Sequence, residues 1–195
     1  MDCTAQIKEY IENNYSDHRK THTIGVAKVA KELARIYGAD EKKAEIAALF
    51  HDMYRGITVE RNNFYVNCLG LDQKYLDNCN LAHGKIAAIV MKRDFDIEDE
   101  EILNAVSFHT TGRVGMSLLE KIIYIADAIE PGRVYPNVEE IRKIAYEDID
   151  KAVYKAMANT ILYVEKRGNY LDEDTTKAKA YFEKMLKERK SANDK

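Results

Sequence analysis

Apolar positions recur every three to four residues along nearly the whole chain, and strict two-residue alternation is absent. That period is the mark of amphipathic helices, so the pattern predicts an all-α bundle. It places helices over residues 4–14, 17–37 (closed by Gly38), 41–54 (stopped by Gly56), 83–93, 98–109, 117–129, 138–146, 148–167 and 175–190. Residues 57–82 are polar and asparagine-rich and suggest one or two short helices. Ser117 and Glu120 fit a capping box ahead of "LLEKIIYIADAIE". The run "DEDTTKAKAYFEKMLKERK" starts acidic and ends basic, as the helix dipole favours. With no repeat, linker or low-complexity segment, the expectation is one domain over residues 1–190 and a frayed tail at 191–195.

The helical register makes the five histidines informative. His18 and His22 are one turn apart, and His22 continues into Val26, Val29, Leu33 and Ile36. His51 shares a face with Ala44, Ala47 and Ala48; His83 leads Ile86, Ala87 and Val90; His109 follows Ile102 and Val106. Each histidine is thus expected on an inward face. A single buried histidine is commonly a packed side chain with one bonded nitrogen; five at once suggest shared chemistry.

Two carboxylates join them. Asp52 ends the apolar run in "AALFHDMYRG", and Asp127 lies between Ala126 and Ala128. Burying an unpaired polar group costs ~2–7 kcal/mol, and a charge far more, so each needs a partner. A basic side chain is one candidate partner. A divalent cation is the other, since His22, His51, Asp52 and Asp127 together offer two imidazoles and two carboxylates. Mixed nitrogen and oxygen donors suit Fe, Mn, Co, Ni or Zn better than a calcium cage.

Composition narrows the setting. The length of 195 residues suffices for one buried core, and 46% hydrophobic with 32% charged residues is ordinary for a globular protein. A net charge of −3 gives no global attraction to nucleic acid or anionic membrane, so an anionic ligand must be held by local cations or a metal. No basic stripe marks a nucleic-acid surface, and no window has the ~18 consecutive apolar residues of a membrane span. The first residues lack a signal-peptide pattern. Cys3, Cys68 and Cys79 are an odd count with no CxxC pair, read as buried or half-buried free thiols in a reducing cytosol. The expected location is the cytoplasm; the pattern sets no oligomeric state.

The order His22, then "HD" at 51–52, then Asp127 resembles the H…HD…D signature of HD-domain metal-dependent phosphohydrolases. The flanks are more specific. "HRKTHTIGVAKVAKELARIYGAD", "KKAEIAALFHD", "HTTGRVGMSLLEKIIYIADAIEPGR" and "DKAV…NTI" closely resemble the YqeK-type HD proteins over roughly residues 17–176. The resemblance implies an HD-type helical bundle with a single buried metal and nucleotide site. It also implies symmetrical hydrolysis of diadenosine tetraphosphate (Ap4A) to two ADP, with iron first among the metals.

Position by position, the resemblance implies that His22, His51, Asp52 and Asp127 ligate the metal. His18, Arg19, His83, His109, Thr110 and Arg133 match positions that contact the nucleotide's phosphates. The stretch Tyr170, Leu171, Asp172, Glu173, Asp174 and Thr175 matches the family's nucleotide-contacting loop, with Tyr170 the one tyrosine singled out. Asp52, His83 and His109 are the expected catalytic groups, and Asp127 borders both metal and nucleotide. Three departures stand out: "HDMYR" for the usual "HDYAK", which puts Arg55 where a lysine stands; Val114 for the proline of "TGRPGM"; and "EDT" for "PDT", which bears on Glu173. Arg55 keeps the charge with a different donor geometry.

Such a site would neutralise a polyphosphate and activate a water. Arg19, Arg55 and Arg133 are candidate clamps, because guanidinium matches phosphate bidentately. The "TTGR" turn before the capped helix is a candidate anion seat. The alternatives are an HD phosphohydrolase for mononucleotides or guanosine alarmones, and a regulatory module that binds nucleotide without turnover.

Overall fold

Ser16, Thr58, Asn78, Ser117 and Asp148 each accept a hydrogen bond from the backbone N–H three residues on, and each opens a helix. The Ser117–Glu120 capping box is complete in both directions. Gly38, at φ +73°, closes the second helix by donating its N–H to the Ala34 carbonyl, a left-handed stop natural to glycine.

The computed structural model describes residues 3–193. Among them the chain is all-helical: α1 (Cys3–Asn14), α2 (Asp17–Tyr37), α3 (Glu41–Phe50), α4 (Val59–Cys68), a short 3-10 turn (Gln73–Tyr75), α5 (Cys79–Asp94), α6 (Glu100–Phe108), α7 (Leu118–Ile129), α8 (Val138–Ala145), α9 (Ile149–Lys166) and α10 (Glu173–Asn193). No described helix is long and apolar enough to cross a membrane.

The most apolar element, α7, lies at the centre. It buries Leu119, Ile122, Ile123, Tyr124, Ile125, Ala126 and Ile129 and packs against α2, α3, α6, α8 and α9. Small residues allow the close approach of α2 and α3: Ala30 and Ala34 meet a helix whose Ala44, Ala47 and Ala48 are fully buried. Phe50, Ile86 and Met91 are fully buried in the same core. This packing turns the ends of α3, α6 and α7 towards the N-terminal halves of α2 and α5, and the chemistry collects there.

Several boundaries differ from the periodic reading. The third helix stops at Phe50, because the His51 ring folds back on the Ala48 carbonyl and residues 51–56 turn instead. The fifth begins at Cys79, four residues early, since Asn78 caps it. The last begins at Glu173 and continues through 193, so the "EDT" segment is helix rather than loop. Residues 191–193, expected to fray, are helical; Asp194 and Lys195 lie outside the described residues, as do Met1 and Asp2 of the expected N-terminal segment. Ile36 is exposed rather than inward, and so is Cys68, while Cys3 and Cys79 are half-buried free thiols.

Candidate metal and phosphate site

Four of the five histidines converge. His22 comes from the second turn of α2, His51 from the turn ending α3, His83 from α5, and His109 from the turn ending α6. Each directs Nδ1 at an acceptor that has no proton to give. His51 Nδ1 lies 2.6 Å from the Ala48 carbonyl, His109 Nδ1 2.7 Å from that of Val106, and His83 Nδ1 3.3 Å from that of Cys79. His22 Nδ1 is 3.1 Å from Glu130 Oε1. Each Nδ1 therefore carries the proton and donates it, which leaves Nε2 of His22 and of His51 as lone pairs facing inward, while the 2.9 Å between Nε2 of His83 and of His109 requires one proton shared by that pair.

The two carboxylates meet those lone pairs. His22 Nε2 is 3.2 Å from Asp127 Oδ1 and 3.8 Å from Asp52 Oδ2; His51 Nε2 is 3.8 Å from Asp52 Oδ2 and 4.0 Å from Asp127 Oδ1. On the other side, Asp52 Oδ1 is 3.2 Å from His83 Nε2 and 3.9 Å from His109 Nε2, and those two nitrogens are 2.9 Å apart. A pocket lined by so many acceptors requires a cation or added protons. Nε2 of His22 and of His51 are buried without any hydrogen-bond partner, which is the condition of an imidazole awaiting a metal. Donor atoms of His22, His51 and Asp127 lie within 4.8 Å of one another, as do those of His51, Asp52 and His109. The donor set fits a divalent transition metal.

The electrostatics agree with the geometry. Burial works to raise the Asp52 carboxyl, but His51, His83 and His109 overcome it and hold the group well below the usual carboxylate range. Asp127 is lowered against its burial by the adjoining His22 imidazole and the Arg133 charge. Burial lowers the His51 imidazole, and burial with the neighbouring His83 pushes His109 down to about 3. The lowered affinity for a proton leaves both rings suited to ligation.

Arg133, in the turn after α7, reaches back over the site. Its Nη2 donates to Asp127 Oδ1, and its Nε donates to the Asp127 main-chain carbonyl at 2.8 Å. Arg142 holds that turn in place, with Nη2 donating at 2.8 Å to the carbonyls of both Glu130 and Arg133. Thr110 sets its hydroxyl 3.2 Å from His109 Nε2.

The remaining expected residues spread out. His18 is exposed on the first turn of α2, contrary to the inward face expected of it, because the buried positions of that helix begin only at Thr23. Arg19 donates Nη1 to the Arg55 carbonyl, which joins the two segments, while Arg55 itself is exposed. Arg113 of the "TTGR" turn is paired with buried Glu120 at 2.6 Å, and the Glu120 carboxylate also caps Ser117, so that helix start is satisfied internally. In the 170–175 stretch, Asp172 and Thr175 are buried and Leu171 and Asp174 half-buried, while Tyr170 and Glu173 are exposed. Asp172 accepts the Asp174 N–H at 2.9 Å and pairs with Lys74 at 2.9 Å; Glu173 pairs along its own helix with Lys177.

Sequence reasoning missed Glu130, Lys74 and Lys85. Glu130 directly follows α7 in "EPGR", where helical periodicity assigns no face. Lys85 reads as a solvent-facing lysine. Its Nζ instead sits 3.3 Å from the Phe108 ring centroid, with Arg113 stacked at 4.8 Å on the same ring, and burial pushes its ammonium down to about 8.

A helical bundle around buried histidines and aspartates with unsatisfied imidazole nitrogens defines a divalent-metal centre. Residues 19–132 match the HD domain family, and the chain belongs to that family. It is 40% identical over 166 residues to a symmetrical bis(5'-nucleosyl)-tetraphosphatase of Bacillus subtilis, covering 85% of this chain and 89% of that protein. A protein of the same name from Halalkalibacterium halodurans is 39% identical over 93% of this chain and 96% of its own length. Among solved structures, a predicted HD superfamily hydrolase involved in NAD metabolism from Clostridium acetobutylicum superposes with a TM-score of 0.88. It is 42% identical, over 93% of this chain and 97% of that one.

Proposed function

We propose that this protein hydrolyses dinucleoside polyphosphates symmetrically, splitting Ap4A into two ADP with the help of a divalent metal. The observation that carries this reading is the convergence of four imidazole Nε2 atoms and two carboxylates in one buried cluster, with His22 Nε2 and His51 Nε2 unpartnered. The relatives named as symmetrical tetraphosphatases over almost their whole length support the choice of substrate.

His22, His51, Asp52 and Asp127 hold the metal; iron is the leading choice, with Mn, Co, Ni or Zn able to substitute. A divalent cation there supplies Lewis acidity and lowers the pKa of a water it holds. The chain's own groups do the rest. Asp52, kept ionised by its histidine neighbours, orients the attacking water. His83 and His109 hold one proton between facing Nε2 atoms, beside Asp52 Oδ1 and within reach of Thr110, for the phosphate oxygens as charge redistributes. Arg133 presents a guanidinium at the edge of the cluster to clamp a phosphate. Arg19, Arg55 and His18 line the outer approach, and Tyr170 to Thr175 form the nucleotide-side wall near Lys74 and Lys85. The net charge of −3 makes these local cations necessary for a polyanionic substrate. The cytoplasm is the proposed location.

The experiment is a comparison of kcat/KM on metal-loaded protein for Ap4A, a mononucleotide and a guanosine polyphosphate. The reading requires Ap4A to be preferred. Faster turnover of either other substrate assigns the site to a different HD phosphohydrolase, and binding without turnover assigns it to a regulatory module.

A further inference from the structure

The structure assigns Glu130 a positioning role: its carboxylate fixes the proton of His22 on Nδ1 and so keeps Nε2 free to ligate the metal. The inference rests on the metal site read above and concerns a residue outside its ligand set. Glu130 is 4% exposed, and both carboxylate oxygens are committed. Oε1 faces His22 Nδ1 at 3.1 Å, and Oε2 accepts the Gly132 N–H at 2.6 Å. The backbone makes room for this carboxylate at two glycines. A Cβ on Gly25 would stand 2.9 Å from Oε2, and one on Gly132 would stand 3.0 Å from Oε1. Gly25 lies in the middle of α2, where alanine would be the better helix former. Its absence of a side chain is therefore explained by Glu130 rather than by the helix.

The other three histidines of the cluster give Nδ1–H to backbone carbonyls, which cannot be exchanged by mutation. His22 alone depends on a side chain. A carboxylate behind a ligating imidazole fixes its tautomer and orientation and raises its basicity. Glutamine has the same shape but only one acceptor. It must either turn its NH2 towards the Gly132 N–H, donor against donor, or turn it towards His22 Nδ1. In the second case the imidazole proton moves to Nε2 and blocks the ligand atom.

The test measures Mn2+ binding to metal-stripped full-length protein by calorimetry, for wild type, His22→Ala, Glu130→Gln and Gly25→Ala, with thermal unfolding of each metal-free protein. Glu130→Gln should weaken Mn2+ binding by about tenfold or more, with metal-free unfolding close to wild type. Gly25→Ala should also weaken binding, although its helix propensity favours the fold. If Glu130→Gln does not fold, Gly25→Ala alone decides. Wild-type affinity in the folded variants overturns the inference, as does a loss of affinity matched by an equal loss of metal-free stability, which would make Glu130 a structural group. Failure of the wild type to bind Mn2+, or full binding by His22→Ala, would overturn the reading of the metal site itself.

Discussion

Arg133 holds Asp127 at two points, through Nη2 to the carboxylate and through Nε to the main-chain carbonyl at 2.8 Å. The carboxylate oxygen it engages, Oδ1, also faces His22 Nε2 at 3.2 Å. The proposed phosphate clamp and a proposed metal ligand are thus one unit, and only a planar fork fits both acceptors. Arg133→Lys keeps the charge and loses the fork. It should cost roughly ten- to hundredfold in kcat/KM for Ap4A, the worth of one charge-assisted hydrogen bond, with bound metal unchanged. Steady-state kinetics beside elemental analysis checks this; a lysine variant with wild-type kinetics would remove Arg133 from the site.

Removing the metal should destabilise the fold. Asp52 and Asp127 both approach His22 and His51 within 4.0 Å, and without a cation their like charges face each other in a buried place. A ligand that binds only the folded state contributes RT ln(1 + [L]/Kd), about 2.7 kcal/mol at a hundred times Kd. Chelated protein should melt lower than loaded protein and recover with Mn or Fe. Equal melting curves, with metal content verified, would contradict this.

How far the sequence could be read follows from what each residue does. The cluster was legible because His22, His51, His83 and Asp127 lie among small and apolar residues at helical spacing, so the fold had to bring polar atoms inside. The segment 57–82 was not legible, because α4 buries only Asn62 and Val66 and its start depends on a single cap, Thr58. His51 and His109 bend their own helix ends by bonding carbonyls three residues back, an event that periodicity does not record. His18 misled because it shares a register with His22 but lies one turn beyond the packed length of α2. Glu130 was invisible since His22, the imidazole it faces, is 108 residues away in the chain.

His109 is proposed to share a proton with His83 for the phosphate oxygens, not to ligate the metal. His109→Ala should lower kcat strongly while bound metal stays near one equivalent. Metal lost in step with activity would instead make His109 a ligand beside Asp52 and His51, whose donor atoms lie within 4.8 Å of its own.

Lys85 gives a pH-dependent signature. Its folded pKa of about 8 lies below the ordinary lysine value of 10.5 because burial disfavours the ammonium. Below pH 8 folded and unfolded chains both carry the proton, and the folded state bears the cost of burying it. Between about 8 and 10.5 the unfolded chain still binds a proton that the folded chain has released, so this group makes stability rise with pH across that window. Lys85→Met should therefore be more stable than wild type to urea at pH 7, and the gap should narrow by pH 10. A gap independent of pH would mean that the ammonium is well solvated.

The central claim is that the metal cluster acts at the middle of a tetraphosphate. The direct measurement is chromatography of the nucleotides formed from Ap4A by metal-loaded protein. With a nucleoside diphosphate moiety held by Arg133, Thr110 and the 170–175 segment, cleavage falls between the second and third phosphates. The account predicts ADP as the sole nucleotide product. ATP and AMP in equal amounts would contradict it, since that pair requires the cut one phosphate away.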